Sequence, residues 1–284
     1  MPDSYISYLP DFTVTYVGII TKKGEPTVLK YAEKLEGWLS RQGIASSRDI
    51  ISPDLDILII LGGDGTLLHV AETAARYSIP VLGINLGNLG FLTELTESET
   101  EPALLEILTG PVTVENRLML KTRLLTDNGA KNYRFALNDV VIHKKTLDRL
   151  LNLSTKANDD YINTYKADGL IFSTPTGSTA YSLSAGGPLV HPELAAILVT
   201  PICPFMLSSR PVILPPNKLI TSELLGNTDA GKTMVIIDGQ SAWEMTPGDI
   251  LEIQSAEQPL QLILSTKSDY FTVLRDKLKW GSNN

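Results

Sequence analysis

Residues Asp56 to Thr66 read Asp-Ile-Leu-Ile-Ile-Leu-Gly-Gly-Asp-Gly-Thr, a short apolar run that passes straight into a glycine turn. An uninterrupted apolar run of this length is the pattern of a strand buried on both faces, as in a parallel sheet covered by helices. The flanking segments agree. Thr66 to Tyr77 reads as a helix and Ile79 to Ile84 as a further strand. Upstream, Thr13 to Ile20 is apolar and β-branched, and Glu25 to Arg41 carries Val28, Tyr31, Leu35 and Leu39 at helical spacing. This β-α-β rhythm predicts an α/β N-terminal domain with a mainly parallel sheet.

The character of the chain changes after Pro111. Leu118–Leu125 and Tyr133–Leu137 flank Asp127-Asn128-Gly129, a hairpin signal. Strand-like runs follow at Asn138–Ile142, Leu150–Lys156, Tyr161–Ala167, Leu170–Phe172, Val212–Leu214, Leu219–Leu224, Thr233–Ile237 and Ile250–Ile253. They predict an all-β C-terminal domain, a sandwich. Ser268 to Trp280 reads as an amphipathic helix with Tyr270, Phe271, Leu274 and Leu278 on one side. One helix finds little cover in a sandwich, so its expected place is back on the N-terminal domain.

The chain has 284 residues, 43% hydrophobic and 20% charged, with a formal net charge of −8. That balance suits a globular protein with a full core. It argues against a general nucleic-acid binder or a partner of anionic membranes, both of which require basic excess. No apolar run is long enough to cross a bilayer, and no signal peptide is apparent. A single cysteine, Cys203, excludes an intrachain disulfide and points to a reducing compartment, the cytoplasm. The three histidines, His69, His143 and His191, are isolated; His69 is expected to be packed on its helix. A structural zinc site is not expected from them.

Three segments carry chemistry. In Gly62-Gly63-Asp64-Gly65-Thr66, glycines at a strand-to-helix turn let backbone amides approach phosphates, and the helix behind them favours negative charge. A carboxylate at such a place needs a purpose. Asp64 could hold Mg²⁺, take a proton from an attacking hydroxyl, or simply cap the helix in a tight turn. Neither the P-loop pattern nor the full G-x-G-x-x-G fingerprint is present. Asp168 to Tyr181 runs from a strand into the hydroxyl-dense segment Ser173-Thr174-Pro175-Thr176-Gly177-Ser178-Thr179-Ala180-Tyr181. It could bind a ribose or an amide, with Tyr181 stacking on a base, or be an ordinary polar loop. Asn138-Asp139 interrupts an apolar stretch, which suits either vicinal ribose hydroxyls or a strand-end turn.

Together and in this order, these segments resemble the NAD kinase family. The resemblance extends to Asn85–Thr93, Ser182–Pro188, Ser209–Ile213 and Asp238-Gly239-Gln240, and covers nearly all of the chain beyond Val14. It implies two domains, 1–114 completed by 266–284 and 115–265, with the C-terminal helix on the first. It implies transfer of a phosphoryl group from ATP, with Mg²⁺, to the 2′-hydroxyl of the adenosine ribose of NAD. Asp64 then matches the catalytic carboxylate, and Asp64 and Gly65 contact the dinucleotide. Phe91 matches an apolar wall and the pair Asn138 and Asp139 a ribose site. Asp168 matches an acidic residue that reads adenine. Thr176, Thr179, Ala180, Tyr181 and Ser184 match NAD-contacting positions, Arg149 and Lys166 match basic or polar ligand contacts, and Asp238 and Gln240 fall in a further binding segment. A charged residue at the Lys166 position accompanies preference for ATP over polyphosphate. Family members are homodimers or homotetramers.

Two other readings compete. A lipid or sugar-phosphate kinase could carry the glycine turn but leaves the Thr174–Tyr181 segment unexplained. A non-catalytic NAD(P)-binding regulator would be expected to lack Asp64.

Overall fold

The computed structural model describes residues 5–10, 12–87, 90–93, 95–145, 149–226, 233–264 and 270–279. In chain order the elements are β1 (Ile6–Leu9), β2 (Tyr16–Thr21), α1 (Pro26–Arg41), β3 (Ala45–Arg48), β4 (Ile57–Leu61), α2 (Asp64–Tyr77), β5 (Val81–Ile84), α3 (Glu97–Thr109) and β6 (Val112–Arg117). Then come β7 (Leu120–Thr126), β8 (Gly129–Ala130), β9 (Arg134–Ala136), β10 (Asp139–Lys144), β11 (Leu151–Ala157), β12 (Asp160–Ala167) and β13 (Gly169–Ser173). A 3₁₀ turn (Thr176–Thr179) and the short α4 (Tyr181–Ser184) precede β14 (Ile197–Ile202), β15 (Val212–Leu214), β16 (Ile220–Leu225), β17 (Thr233–Ile237) and β18 (Gln240–Met245). The chain closes with β19 (Ile250–Ser255), β20 (Leu260–Ile263) and α5 (Tyr270–Leu278).

These elements fall into two compact units, Pro2–Asn116 with Pro259–Asn284, and Arg117–Gln258. In the first, the strands form a seven-stranded sheet in the order β1-β6-β20-β5-β4-β2-β3. Strands β3, β2, β4, β5 and β20 pair in parallel, with β3 at the edge. All five residues of β4 are buried, as an apolar run covered on both faces requires. Helix α1 lays Val28, Tyr31, Ala32, Leu35, Trp38 and Leu39 into this core.

Helix α2 begins two residues earlier than the periodicity predicts. Gly63 is the extended N-cap and Asp64 the first helical residue, where an acid faces the unpaired amides of the helix start. Helix α3 has no counterpart in the periodicity reading, although its start is written in a capping box between Thr96 and Glu99. Helix α5 belongs to the α/β unit, but it buries Val273 and Leu274, while Phe271 and Leu278 of the expected stripe stay exposed.

The second unit is antiparallel. One sheet has the order β15-β14-β13-β10-β17-β18, and the other runs β12-β11-β16-β19-β7-β8 with β9 paired to β7. Their facing residues, among them Leu153, Tyr165, Phe172, Val199, Val235 and Ile253, form one apolar core. The alternating burial of β11 and β16 is the signature of a sheet with one face packed and one face wet.

Candidate active site

In the α/β unit, the turn from β4 to α2 lies at the carboxyl edge of the parallel strands, where open α/β sheets bind ligands. Asp64 does not point freely into solvent. Its Oδ2 accepts the amide of Phe91 at 2.9 Å, and its Oδ1 accepts the amide of Leu92 at 3.0 Å and the hydroxyl of Thr93 at 3.4 Å. The Asn85–Thr93 motif therefore presents its last residues to the Asp64 carboxylate; Asn88 and Leu89 lie outside the described residues. Gly90 is needed at this junction, because a methyl group there would land on Asp64 Oδ1 and the Thr93 hydroxyl. Phe91 is half-buried beside the carboxylate that its own amide holds.

On the flank of the same turn is a cavity of about 540 Å³, within the range of small-molecule sites. Gly63, Gly65 and Thr66 form one wall, and Ile20, Ile51 and Val70 supply apolar surface. Lys22 and Lys23 stand at its edge, directly after β2. Lys22 pairs with Glu25 at 3.0 Å, with both side chains about half exposed. Asp49 also lines the cavity, but its carboxylate is engaged by the Thr21 amide at 2.8 Å and the Thr21 hydroxyl at 3.0 Å. His69 is exposed and lines the cavity as well, so it is not the packed residue that its helix position suggested. None of Lys22, Lys23, Asp49 and His69 carries a site signal in the sequence.

In the sandwich unit, a second group forms where β10 begins and β13 ends. Asp139 is paired across the ladder with Ser173. Asp238, in the β17–β18 turn, accepts the amides of Leu137 at 2.7 Å, Asn138 at 2.8 Å and Asp139 at 3.0 Å. Asp139 is 6% exposed. Burial raises its carboxyl, and the neighbouring Asp238 carboxylate adds to the effect, up to about 7.

The hydroxyl-rich segment turns largely inward. Thr174 Oγ1 donates to Leu137 O at 2.6 Å, Ser178 Oγ to Pro175 O at 2.6 Å, and the Ser182 and Thr200 hydroxyls bond each other at 2.9 Å. Gly177 lies so close to the Asn138 carbonyl that no side chain fits. Thr176 is nearly buried, with the Arg117 guanidinium 3.5 Å from its hydroxyl. Thr179 and Ala180 are half-exposed, and Tyr181 and Ser184 are exposed. Partial burial raises the Tyr181 phenol above its ordinary value, and Cys203, Asp139 and Asp168 raise it further.

Asp168, between β12 and β13, is held by Lys144 at 2.5 Å, another residue without a sequence signal. Gln240, exposed, opens β18 one residue after the Asp238-Gly239 turn. Lys166 is exposed on β12 with its ammonium 5.0 Å from the Phe205 ring centroid, and Arg149 is exposed just ahead of β11. The structure thus gathers Asn138, Asp139, Thr176, Tyr181, Asp168 and Asp238 in one unit, and Asp64, Gly65 and Phe91 in the other.

Comparison with known proteins points one way. Residues 44–112 match the model of the ATP-NAD kinase N-terminal domain, and residues 137–265 that of the ATP-NAD kinase C-terminal domain. The chain is 43% identical to the NAD kinase of Geotalea daltonii, over 93% of this chain and 98% of that one. It is 40% identical to the NAD kinase of Heliobacterium modesticaldum, over 93% and 99%. Among solved structures it resembles yeast NADH kinase complexed with NADH, with a TM-score of 0.87, 25% identity and coverage of 96% and 90%. It shares its fold with an Archaeoglobus fulgidus NAD kinase solved in complex with ATP, at TM-score 0.76 and 23% identity over 93% and 99% of the two chains.

Proposed function

The chain belongs to the NAD kinase family, phosphotransferases that use ATP to phosphorylate the 2′-hydroxyl of the adenosine ribose of NAD, and from that premise we propose how its two units divide the work. The α/β unit supplies the catalytic carboxylate, and the sandwich unit grips the dinucleotide. The observation that carries this reading is the fixed carboxylate of Asp64 at the start of α2.

A ribose hydroxyl is a weak nucleophile, and a carboxylate that orients it and accepts its proton lowers the barrier to attack on phosphorus. A carboxylate has about four lone-pair sites. The Phe91 and Leu92 amides occupy part of that capacity, so Asp64 is held in one orientation with capacity left for a hydroxyl. Gly65 lets the backbone come close to a phosphate, and Phe91 offers apolar surface beside it. In the sandwich unit, Asn138 and Asp139 bind ribose hydroxyls, while Asp168 reads the adenine and Tyr181 lies against the base. Thr176, Thr179, Ala180 and Ser184 contact the dinucleotide along the turn, and Arg149, Lys166 and Gln240 line its path.

We place the phosphoryl donor, ATP, in the cavity of about 540 Å³, its base on Ile20, Ile51 and Val70 and its phosphates toward Gly63, Gly65, Lys22 and Lys23. Among the described residues no three metal-binding side chains converge. That fits Mg²⁺, which is commonly held by substrate phosphates with few protein ligands; Asp49, which lines the cavity, and Asp64, between the lining residues Gly63 and Gly65, are the carboxylates that would help to hold it. Bound there, it would neutralise phosphate charge. We infer a cytoplasmic homodimer or homotetramer; the exposed run Phe205, Met206 and Leu207 is the apolar surface that supports self-association.

The test is NADP formation from NAD and MgATP, read by a coupled NADP-specific dehydrogenase. Asp64→Asn should lose about 10²–10⁴-fold in kcat with NAD still bound, the size of a general-base effect. Retention of most of the turnover would remove Asp64 from the chemistry. Lys22→Ala with Lys23→Ala should raise KM for ATP roughly tenfold, since a hydrogen bond from a charged group contributes about 1.5–3 kcal/mol. An unchanged KM for ATP would move the donor out of this cavity.

A further inference from the structure

The β17–β18 hairpin turns on two residues, Asp238 and Gly239, with φ of 46° and 77°. Both lie in the left-handed region that such two-residue turns require, where Asn-Gly and Asp-Gly are the favoured pairs. The turn alone would accept Asn at position 238, without a second negative charge beside the buried Asp139. The carboxylate is used for something else. It accepts three consecutive amides, those of Leu137, Asn138 and Asp139, while the Asp238 amide donates to Asp139 O at 3.0 Å.

Two of these residues, Leu137 and Asn138, are also held through their carbonyls. The Thr174 amide donates to Asn138 O at 2.9 Å, the Thr174 hydroxyl donates to Leu137 O, and Gly177 packs on the Asn138 carbonyl. We propose that Asp238 is a positioning residue of the acceptor site: it fixes the backbone from which Asn138 and Asp139 reach the ribose, and acts through them rather than on the substrate. Asp238 thereby leaves the set of direct dinucleotide contacts in which its motif had placed it. This inference rests on the reading that Asn138 and Asp139 bind the acceptor.

Asp238→Asn separates the two roles of the residue. Asn-Gly preserves the turn, but an amide group cannot accept all three backbone N–H groups, and its own NH₂ must face at least one of them. The full chain would be assayed for kcat and for KM of each substrate, and hydrogen exchange would be followed at the three amides. We expect KM for NAD to rise on the order of tenfold, the size of one charge-assisted bond, with KM for ATP unchanged. Exchange should accelerate at Leu137, Asn138 and Asp139, while Val235 and Trp243, paired within the hairpin, keep their protection. Asp238→Gly, which also keeps the turn, should give the larger rise.

An unchanged KM for NAD with unchanged amide protection would reduce Asp238 to a turn residue and overturn the proposal. So would parallel rises in both KM values with protection lost throughout the hairpin. The reading of Asn138 and Asp139 as acceptor ligands fails separately: Asn138→Ala and Asp139→Ala would then leave KM for NAD untouched.

Discussion

The α/β turn at Asp64 and the sandwich turn at Asp238 use the same device on different scaffolds. Each places a carboxylate so that it accepts backbone amides of a distant segment, Phe91 and Leu92 in one case and Leu137 to Asp139 in the other. The difference lies in what is left over. Asp64 begins a helix at the carboxyl edge of a parallel sheet, where bound anions are expected, and its own carboxylate is the group assigned to the chemistry. The Asp238 carboxylate accepts three amides, and the group proposed to meet the acceptor is a neighbour, Asp139.

Amide-binding carboxylates are not by themselves a mark of function. Asp56, at the start of β4, accepts the Thr15 and Tyr16 amides at 2.7 and 2.9 Å, far from the carboxyl edge of the sheet. Burial alone would raise the Asp56 carboxyl, but those amides outweigh it and leave it below its ordinary value. Position in the sheet, and not the hydrogen-bond pattern, separates the carboxylate proposed for catalysis from the structural one.

The comparison breaks most visibly at Gly90. A methyl group there displaces the Asp64 carboxylate, because its Oδ1 and the Thr93 hydroxyl occupy that space. Misplacing a catalytic group by about 1 Å costs on the order of 10²-fold. Gly90→Ala should therefore lower kcat by about 100-fold while KM for NAD, on the proposal that the sandwich unit sets it, changes little. Steady-state kinetics at saturating ATP would check this. Activity within about threefold of the parent would mean that the contact with Gly90 does not hold Asp64 in its working position.

What was legible in the sequence follows the range of the contacts. The strand, glycine turn and helix around Asp64 are contiguous, and hydropathy placed them within two residues. The partners of Asp64 are 27 and 28 residues away, and only the resemblance drew attention to their segment. The cavity beside the Asp64 turn was invisible, because Lys22 and Asp49 meet α2 only once β2, β3 and β4 are neighbours in the sheet. The Asp238 clamp spans 99 to 101 residues and has no local signature beyond a turn. The hydroxyl-rich segment left two readings open, a ligand site and an ordinary polar loop. Thr174, Ser178 and Ser182, none of them among the expected contacts, satisfy buried backbone and side-chain groups of the unit itself, as buried polar groups must.

The comparison sharpens at Asp139, where the cost of a site can be measured apart from its activity. Its carboxyl has an ordinary value of 3.8 and is raised to about 7 in the folded chain, first by burial and then by Asp238. Between these values the unfolded chain has released its proton while the folded chain still holds it. The contribution of Asp139 to stability is therefore fully present below 3.8, falls as pH rises through that window, and levels off above about 7. A tenfold change in proton affinity corresponds to about 1.4 kcal/mol, so Asp139 burdens the fold by a few kcal/mol at alkaline pH. Asp139→Asn removes the titrating group at nearly constant volume and leaves the amide held by Asp238 in place. The variant should unfold at higher urea than the parent at pH 8, and the difference between them should narrow toward pH 5. On the proposal that Asp139 binds the ribose, its KM for NAD should rise at both pH values. Parallel urea titrations of parent and variant across this range decide the matter. A constant offset between the two would mean that Asp139 does not titrate in the window, and that the carboxylates of the sandwich turn carry no more strain than Asp56 does in the α/β unit.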